Sequence, residues 1–370
     1  MRVVHLMYGF EMGGLEQLVV ELAARGRERG IEAGLVVLGE DGPMRAEVEK
    51  RRLPLRWFPD AAGLSLTALR SIRSSLAQWN ANVVHAHDLG PWLNAVAARA
   101  VRPATRVLAT MHEQALPQGR RRAAAMIAAR FTHALVACGD EVRARIASWA
   151  PEGTRIVTIG NGVPLPAAAS AVERRAARER LGLPEGAVAI GYAGAMKRVK
   201  GPDLLLAAFV KRFGGRSDVH LVLMGDGPLD AELRQGAANV RNVHFTGVVM
   251  NAAQLLPGLD VYAQTSRSEG RSLSMLEAMA AGLPTVAHSL PAIREIHVQG
   301  ETALLAPAEN VDAVADALAR LTDDAALRER MGKAARERSR RYSFDQTLDA
   351  YEGLYREIAH GQAGWSPSYT

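Results

Sequence analysis

A single cysteine, Cys138, stands among 370 residues. It excludes an internal disulfide framework and any cysteine-clustered zinc site, and it suits a reducing compartment. HExxH or comparable ligand spacing is also missing, so neither a dedicated metal site nor a cofactor is expected. Long apolar runs are absent as well. Stretches such as Leu221-Val222-Leu223-Met224 are strand-length and fall far short of the roughly 18 residues a membrane helix needs. The start, Met1 to Tyr8, has one arginine, too short an apolar stretch for a secretory h-region and no small-residue cleavage site, so the expected location is the cytoplasm. Aromatic residues make up 5% and do not interleave with basic ones in any nucleic-acid module, so no nucleic-acid partner is expected. Lysine is scarce: five of 45 basic residues, at Lys50, Lys197, Lys200, Lys211 and Lys333.

What remains is an ordinary globular composition, 48% hydrophobic and 23% charged, at a length that predicts two domains. The net charge of +6 points to acidic partners such as phosphates or an anionic membrane face. Short β-rich runs alternate with longer stretches of helical period: Val3 to Met7, Leu15 to Arg29, Ala33 to Leu38, then Val83 to Ala86, Trp92 to Arg99 and Val107 to Thr110. That is the pattern of a parallel sheet covered on both faces, an α/β fold. The pattern lapses around Pro164 to Ala177 and restarts with Val188 to Tyr192, running through Val219 to Met224, Val261 to Gln264 and Thr285 to His288. Expected boundaries are therefore 1–165 for a first Rossmann-like domain, 166–343 for a second, 344–360 for a closing helix and 361–370 for a flexible tail.

In open parallel sheets ligands lie beyond the carboxyl ends of the strands. Four strand-to-helix loops qualify. Tyr8 to Gly14 is glycine-rich but is neither GxGxxG nor a Walker loop. Gly194 to Gly201 gathers Lys197, Arg198 and Lys200 ahead of a helix, a setting suited to a diphosphate, although three surface charges also make an ordinary solvated loop. Met224 to Pro228 is another such turn, whose glycines and proline fit a plain turn as well as a part in the site. The sharpest is Ser268 to Pro284. Gly282 and Pro284 end a helix expected near 272 to 281, with Glu269 just before it and Glu277 in its second turn. Side chains tilt toward a helix N-terminus, so both carboxylates can face one opening beside the amides of Gly270 to Ser272. Glu269 as a mere cap and Glu277 as a surface residue is the bland alternative, which the apolar Leu273, Met275, Leu276 and Met279 weaken. Among the histidines, His85, His87 and His112 follow strands, and the strand-end place of His112 lifts it above the usual structural histidine.

Glu269 to Glu277 is an E-x7-E motif, and with its surroundings it resembles the signature of GT4-type (glycosyl transferases group 1) glycosyltransferases with the GT-B fold. Gly13-Gly14-Leu15-Glu16, Asn161-Gly162-Val163, Lys200-Gly201, Gly225-Asp226-Gly227-Pro228, Phe245-Thr246-Gly247 and Glu295-Ile296 fall in the family's order. The resemblance implies two Rossmann-like domains facing across a cleft, with the C-terminal helix returning to the N-terminal domain. It implies a metal-independent, usually retaining hexosyltransferase that takes a nucleotide-sugar, a UDP-sugar sooner than a GDP-sugar, to a glycan or lipid-linked acceptor in cell-surface polysaccharide, lipopolysaccharide or glycolipid assembly. Carried over by residue, Glu269 contacts the donor sugar and Glu277 the ribose. Lys200, with Lys197 and Arg198, contacts the diphosphate, and Gly270, Arg271, Ser272 and Leu273 line the donor. Gly14 approaches the leaving phosphate, Gly13 and Glu16 lie on the acceptor side, and His112 lines the reacting centre, so that His112 and Glu269 are the catalytic candidates.

Departures from the family pattern are Ala195 for arginine in the basic loop, Arg271 for an apolar residue, Leu290-Pro291-Ala292 for a glycine pair, and Ala303 for glycine. They leave room for a non-catalytic nucleotide-sugar-binding partner; a GT-B-like epimerase is the other alternative. The stretch Leu116 to Phe131 is basic and amphipathic and is expected to rest on an anionic membrane face, unless it is an ordinary solvated helix.

Overall fold

In the computed structural model the described residues are 1–11, 13–61, 63–99, 104–112 and 117–360. The tail expected at 361–370 and Leu116 of the amphipathic stretch lie outside them. The chain divides into two compact units, one built from Met1–Asn161 together with the chain from Asp345 onward, the other from Gly162–Phe344.

The first unit carries strands β1 (Arg2–Met7), β2 (Glu32–Leu38), β3 (Leu55–Phe58), β4 (Val83–His87), β5 (Arg106–Met111), β6 (Ala134–Ala137) and β7 (Ile156–Thr158). They form one parallel sheet in the order β3-β2-β1-β4-β5-β6-β7. Between them run helices α1 (Gly14–Glu28), α2 (Met44–Lys50), α3 (Leu66–Gln78), α4 (Leu89–Arg99), α5 (Gly119–Ala129) and α6 (Asp140–Ala147). The central strands are buried on both faces because helices cover both, and residues 3–7 of β1 are all buried. Sequence periodicity overlooks β3 because Leu55-Arg56-Trp57-Phe58 is a four-residue edge strand, each residue only half-buried.

The second unit opens with α7 (Ala171–Arg180), whose Ser170 and Glu173 form a reciprocal capping box. Its strands are β8 (Val188–Ala193), β9 (Val219–Met224), β10 (Val243–Gly247), β11 (Val261–Gln264), β12 (Thr285–His288) and β13 (Ala303–Ala306), all parallel in the order β10-β9-β8-β11-β12-β13. Helices α8 (Pro202–Phe213), α9 (Asp230–Gly236), α10 (Leu273–Ala280), α11 (Pro291–Ile296), α12 (Val311–Asp323) and α13 (Ala325–Ser339) complete it. Numbered within each unit, both sheets follow the Rossmann order, with a switch point where the chain reverses direction: between β1 and β4, and between β8 and β11.

The last helix, α14 (Phe344–His360), belongs to the first unit. Leu348, Tyr351, Leu354, Tyr355 and Ile358 recur at helical spacing and are buried. Its polar anchors are specific. Arg155 donates two bonds to Glu357, at 2.9 and 2.7 Å, and Thr347 Oγ1 donates to the Gly160 carbonyl at 2.8 Å. Arg25 and Arg29 of α1 pair with Asp345 and Asp349. Beneath the helix the Tyr355 hydroxyl meets His85 Nδ1 at 2.6 Å, and Tyr351 meets Thr110 Oγ1 at 2.9 Å. Removing one partner of a buried bond costs about 1–3 kcal/mol, and His85 has no exposed surface. Tyr355→Phe is therefore expected to lower unfolding stability by about that amount in a urea titration. An unchanged midpoint would show that the phenol contributes packing alone.

Candidate active site

At the second unit's switch point the loops after β8 and β11 are stitched together. Thr265 Oγ1 donates to the Gly201 carbonyl at 2.6 Å and the Arg267 amide to the Val199 carbonyl at 2.8 Å, while Ser266 Oγ lies 3.3 Å from the Lys200 carbonyl. Gly201 has φ 68°, and a Cβ there would sit 1.9 Å from the Thr265 carbonyl oxygen. Only glycine meets both demands, which explains the Lys-Gly pair: Lys200 can be held here because the residue after it has no side chain.

Lys200 and Glu269 face each other across this seam. The ammonium lies 3.0 and 2.8 Å from the two Glu269 oxygens. Glu269 also accepts from Ser266 Oγ at 2.6 Å and from Gln264 Nε2, and its side chain is 3% exposed. Behind it Gln264 Oε1 accepts from Tyr262 at 3.1 Å and Ser272 at 3.1 Å, which locks the amide's orientation. The carboxylate expected at the sugar and the cation expected at the diphosphate are thus one ion pair.

Ser272 caps α10, its hydroxyl accepting from the Met275 amide, and the amides of Leu273 and Ser274 open the helix beside Glu269. Glu277 follows one turn on. Burial pushes its carboxyl up to about 7, and no hydrogen bond to it is found among the described residues. The remaining candidates are dispersed. Arg198 is bound to Asp203 at 3.1 Å and to both oxygens of Glu232, at 3.0 and 2.9 Å, whereas Lys197 is exposed. Arg271 is mostly buried, 3.5 Å from Glu295 and stacked over the Tyr342 ring. Gly270 and Leu273 are half-buried around it.

In the first unit, Gly13 is the N-cap of α1 and Gly14 its first residue. Glu16 folds back over this end, since a Cβ on Gly13 would lie 2.4 Å from its carboxylate. His112 follows β5, its amide donating to Asp88 Oδ1 at 2.8 Å and its Nε2 lying 3.2 Å from His87 Nδ1. Gln264, Ser266 and Asp88 were not foreseen from sequence; Asp88 directly follows the His-Ala-His run, the one local sign that could have flagged it.

Residues 187–324 match the family described as "Glycosyl transferases group 1", and residues 12–166 match "Glycosyltransferase Family 4". The chain belongs to the family-4 glycosyltransferases. It is 30% identical to a D-inositol 3-phosphate glycosyltransferase of Kineococcus radiotolerans over 77% of this chain and 68% of that one. To the phosphatidyl-myo-inositol mannosyltransferase of Mycobacterium leprae it is 28% identical over 95% of each. It spans 65% and 56% of the length of the D-inositol 3-phosphate glycosyltransferases of Saccharomonospora viridis and Kribbella flavida. The fold is that of Anabaena HepE, crystallised with UDP-glucose: TM-score 0.84 and 19% identity, covering 96% of this chain and 100% of that one. The two Rossmann-like units are those of the GT-B class. This family member has no helix, among the described residues, long and apolar enough to cross a membrane.

The raised carboxyl of Glu277 carries a stability cost with a definite pH window. Between the ordinary value of 4.5 and about 7 the folded chain keeps a proton that the unfolded chain releases, so stability falls as pH rises through that window. Glu277→Gln has no charge to bury. It is expected to raise the melting temperature above about pH 7 and to leave it nearly unchanged below about pH 4.5; an equal effect at both would place the cost elsewhere.

Proposed function

We propose that the protein moves a sugar from a nucleoside-diphosphate donor to a hydroxyl of a glycan or lipid-linked acceptor, with retention and without a metal, in cell-surface polysaccharide or glycolipid assembly. The observation that carries this reading is the second unit's switch point, where Glu269, Lys200 and the start of α10 converge with Glu277 one turn behind. The ribose diol supplies hydrogen-bond donors to Glu277, which favour its ionised form and release its proton. Lys200 already gives two contacts to Glu269, and an ammonium has three donors, so it can touch a phosphate without leaving the carboxylate. Lys197 and the amides at the start of α10 add to it. Negative charge that grows on the departing phosphate is met by these groups. Glu269 orients the sugar hydroxyls, and His112 lines the reacting centre. UDP is the preferred nucleotide on this reading, in keeping with the UDP-sugar of HepE.

A melting panel with UDP-, GDP-, ADP- and dTDP-sugars tests the donor site. A rise of several degrees is expected with one base class, since a ligand at 100 times its Kd adds about 2.7 kcal/mol, and Glu277→Ala should abolish it. Because binding requires ionised Glu277, affinity should also climb with pH up to about 7. No shift with any donor would remove the reading.

A lipid-linked acceptor is supported by the Mycobacterium leprae relative, named for a phosphatidyl-inositol, and by α5. That helix buries Ala125, Ala128 and Ala129, and leaves Met126 and Ile127 exposed between Arg122 and Arg130, with Phe131 just beyond. Apolar tips flanked by arginines suit the headgroup region of an anionic bilayer. Sedimentation with phosphatidylglycerol vesicles at low salt is expected to carry the protein down, and Ile127→Glu with Phe131→Glu to release it. Failure of the wild-type chain to sediment would sink the membrane contact but not the donor site.

A further inference from the structure

His112 is held at two points by two consecutive residues at the end of β4. Asp88 has φ 65°, a left-handed conformation at a non-glycine residue that persists where surroundings enforce it. Its amide donates to the Thr110 carbonyl at 2.8 Å, and its carboxylate accepts from the His112 amide at 2.8 Å. This fixes the backbone of His112. The ring is fixed separately, because His87 Nδ1 lies 3.2 Å from His112 Nε2, with ring centroids 5.5 Å apart and ring planes 28° from parallel. On its other side His87 Nε2 lies 3.1 Å from His5 Nδ1.

His5 and His87 have 1% exposure each, and burial holds both well below the ordinary histidine range, so both are neutral. A neutral imidazole has one donor nitrogen and one acceptor nitrogen. If His5 donates, His87 accepts at Nε2 and must donate from Nδ1, so that Nε2 of neutral His112 accepts and its proton sits on Nδ1. If the first bond reverses, every later one reverses with it. The protonated nitrogen of His112 is therefore tied to His87 and, through it, to His5. A metal shared by His5, His85 and His87, whose ring nitrogens lie within 4.8 Å of one another, fits less well. Both nitrogens of His85 already meet hydroxyls, Tyr355 at 2.6 Å and Thr110 at 2.7 Å.

We propose that His87, backed by His5, is the positioning residue of His112: it sets the ring's orientation and decides which nitrogen carries the proton. The importance of this for sugar transfer rests on the reading that His112 lines the reacting centre, where the acceptor hydroxyl then meets a nitrogen of one fixed character.

The test is nitrogen NMR of the full chain, labelled with 15N-histidine and free of ligand, with His112 assigned by its loss in His112→Asn. In wild type, one ring nitrogen of His112 should resonate as a protonated and the other as a bare nitrogen. In His87→Phe the two should move toward each other, as in a ring that samples both tautomers. In His87→Asn, whose amide can occupy the Nδ1 position, the separation should largely return. Unchanged His112 signals in a folded His87→Phe protein would overturn the proposal, as would equal signals in the Phe and Asn variants. Should His87→Phe not fold, His5→Phe cuts the chain one link further off, and an unchanged His112 there overturns it equally. Sugar transfer that survives His112→Ala would instead remove His112 from the reacting centre while leaving the imidazole chain intact.

Discussion

A carboxylate taken out of water needs either a cation and donors or a proton of its own. The second unit meets that demand in both ways within one helical turn. Glu269 is surrounded by Lys200, Ser266 and Gln264, and both its oxygens are met by donors. Glu277 has no such shell, and burial lifts its carboxyl into the neutral range. The geometry of the seam follows from the first of these. Lys200 reaches Glu269 only because β8 and β11 are neighbours at the point where the sheet reverses, and because Gly201 lets the two loops touch. A rigid acceptor set beside one poised for a new partner is a sensible division for binding a ligand that brings both anionic and hydroxyl groups.

The same strand order recurs in the first unit, but its switch point is furnished differently. The polar groups there are neutral rings and hydroxyls: His5, His85, His87 and Thr110 line one face of β1, β4 and β5, under Tyr351 and Tyr355 of α14. Neutral groups can be buried without counter-charges so long as each bond is completed. The arginines of α5, Arg120 to Arg122, are exposed by contrast.

The fold was legible where pattern and length agree. β1, β4, β9 and their helices show their period plainly, and Ser268 to Pro284 carried its own cap, stop and carboxylate pair. β3 and β13 were not legible: Leu55-Arg56-Trp57-Phe58 is a half-buried edge strand, and Ala303-Leu304-Leu305-Ala306 has no β-branched or aromatic residue to mark it as a strand. Within the site, sequence marked Lys200, Glu269 and Glu277 one at a time. It could not show that the first two are bonded to each other, since they lie 69 residues apart and meet only through strand order. Arg198 shows the same limit: a basic loop suggests an anion site, and the pairing of its guanidinium with Glu232 and Asp203 is something sequence leaves unplaced. The imidazole chain is the extreme case, drawing residue 5 from within β1, 87 from the end of β4 and 112 from just past β5.

One unit is assembled from two separate stretches of chain, Met1–Asn161 and the chain from Asp345 onward, and this bears on how it comes into being. During synthesis the sheet from β1 to β7 emerges first, with the face that carries His85 and Thr110 uncovered until Tyr351 and Tyr355 leave the ribosome. At about 5–20 residues per second, the intervening unit takes roughly 10–40 s to make. That unit has its own continuous stretch of chain and can fold in the meantime. The order of translation is thus the reverse of the order of completion: the half made first is finished last, and a ribosome that stops short of α14 leaves it open.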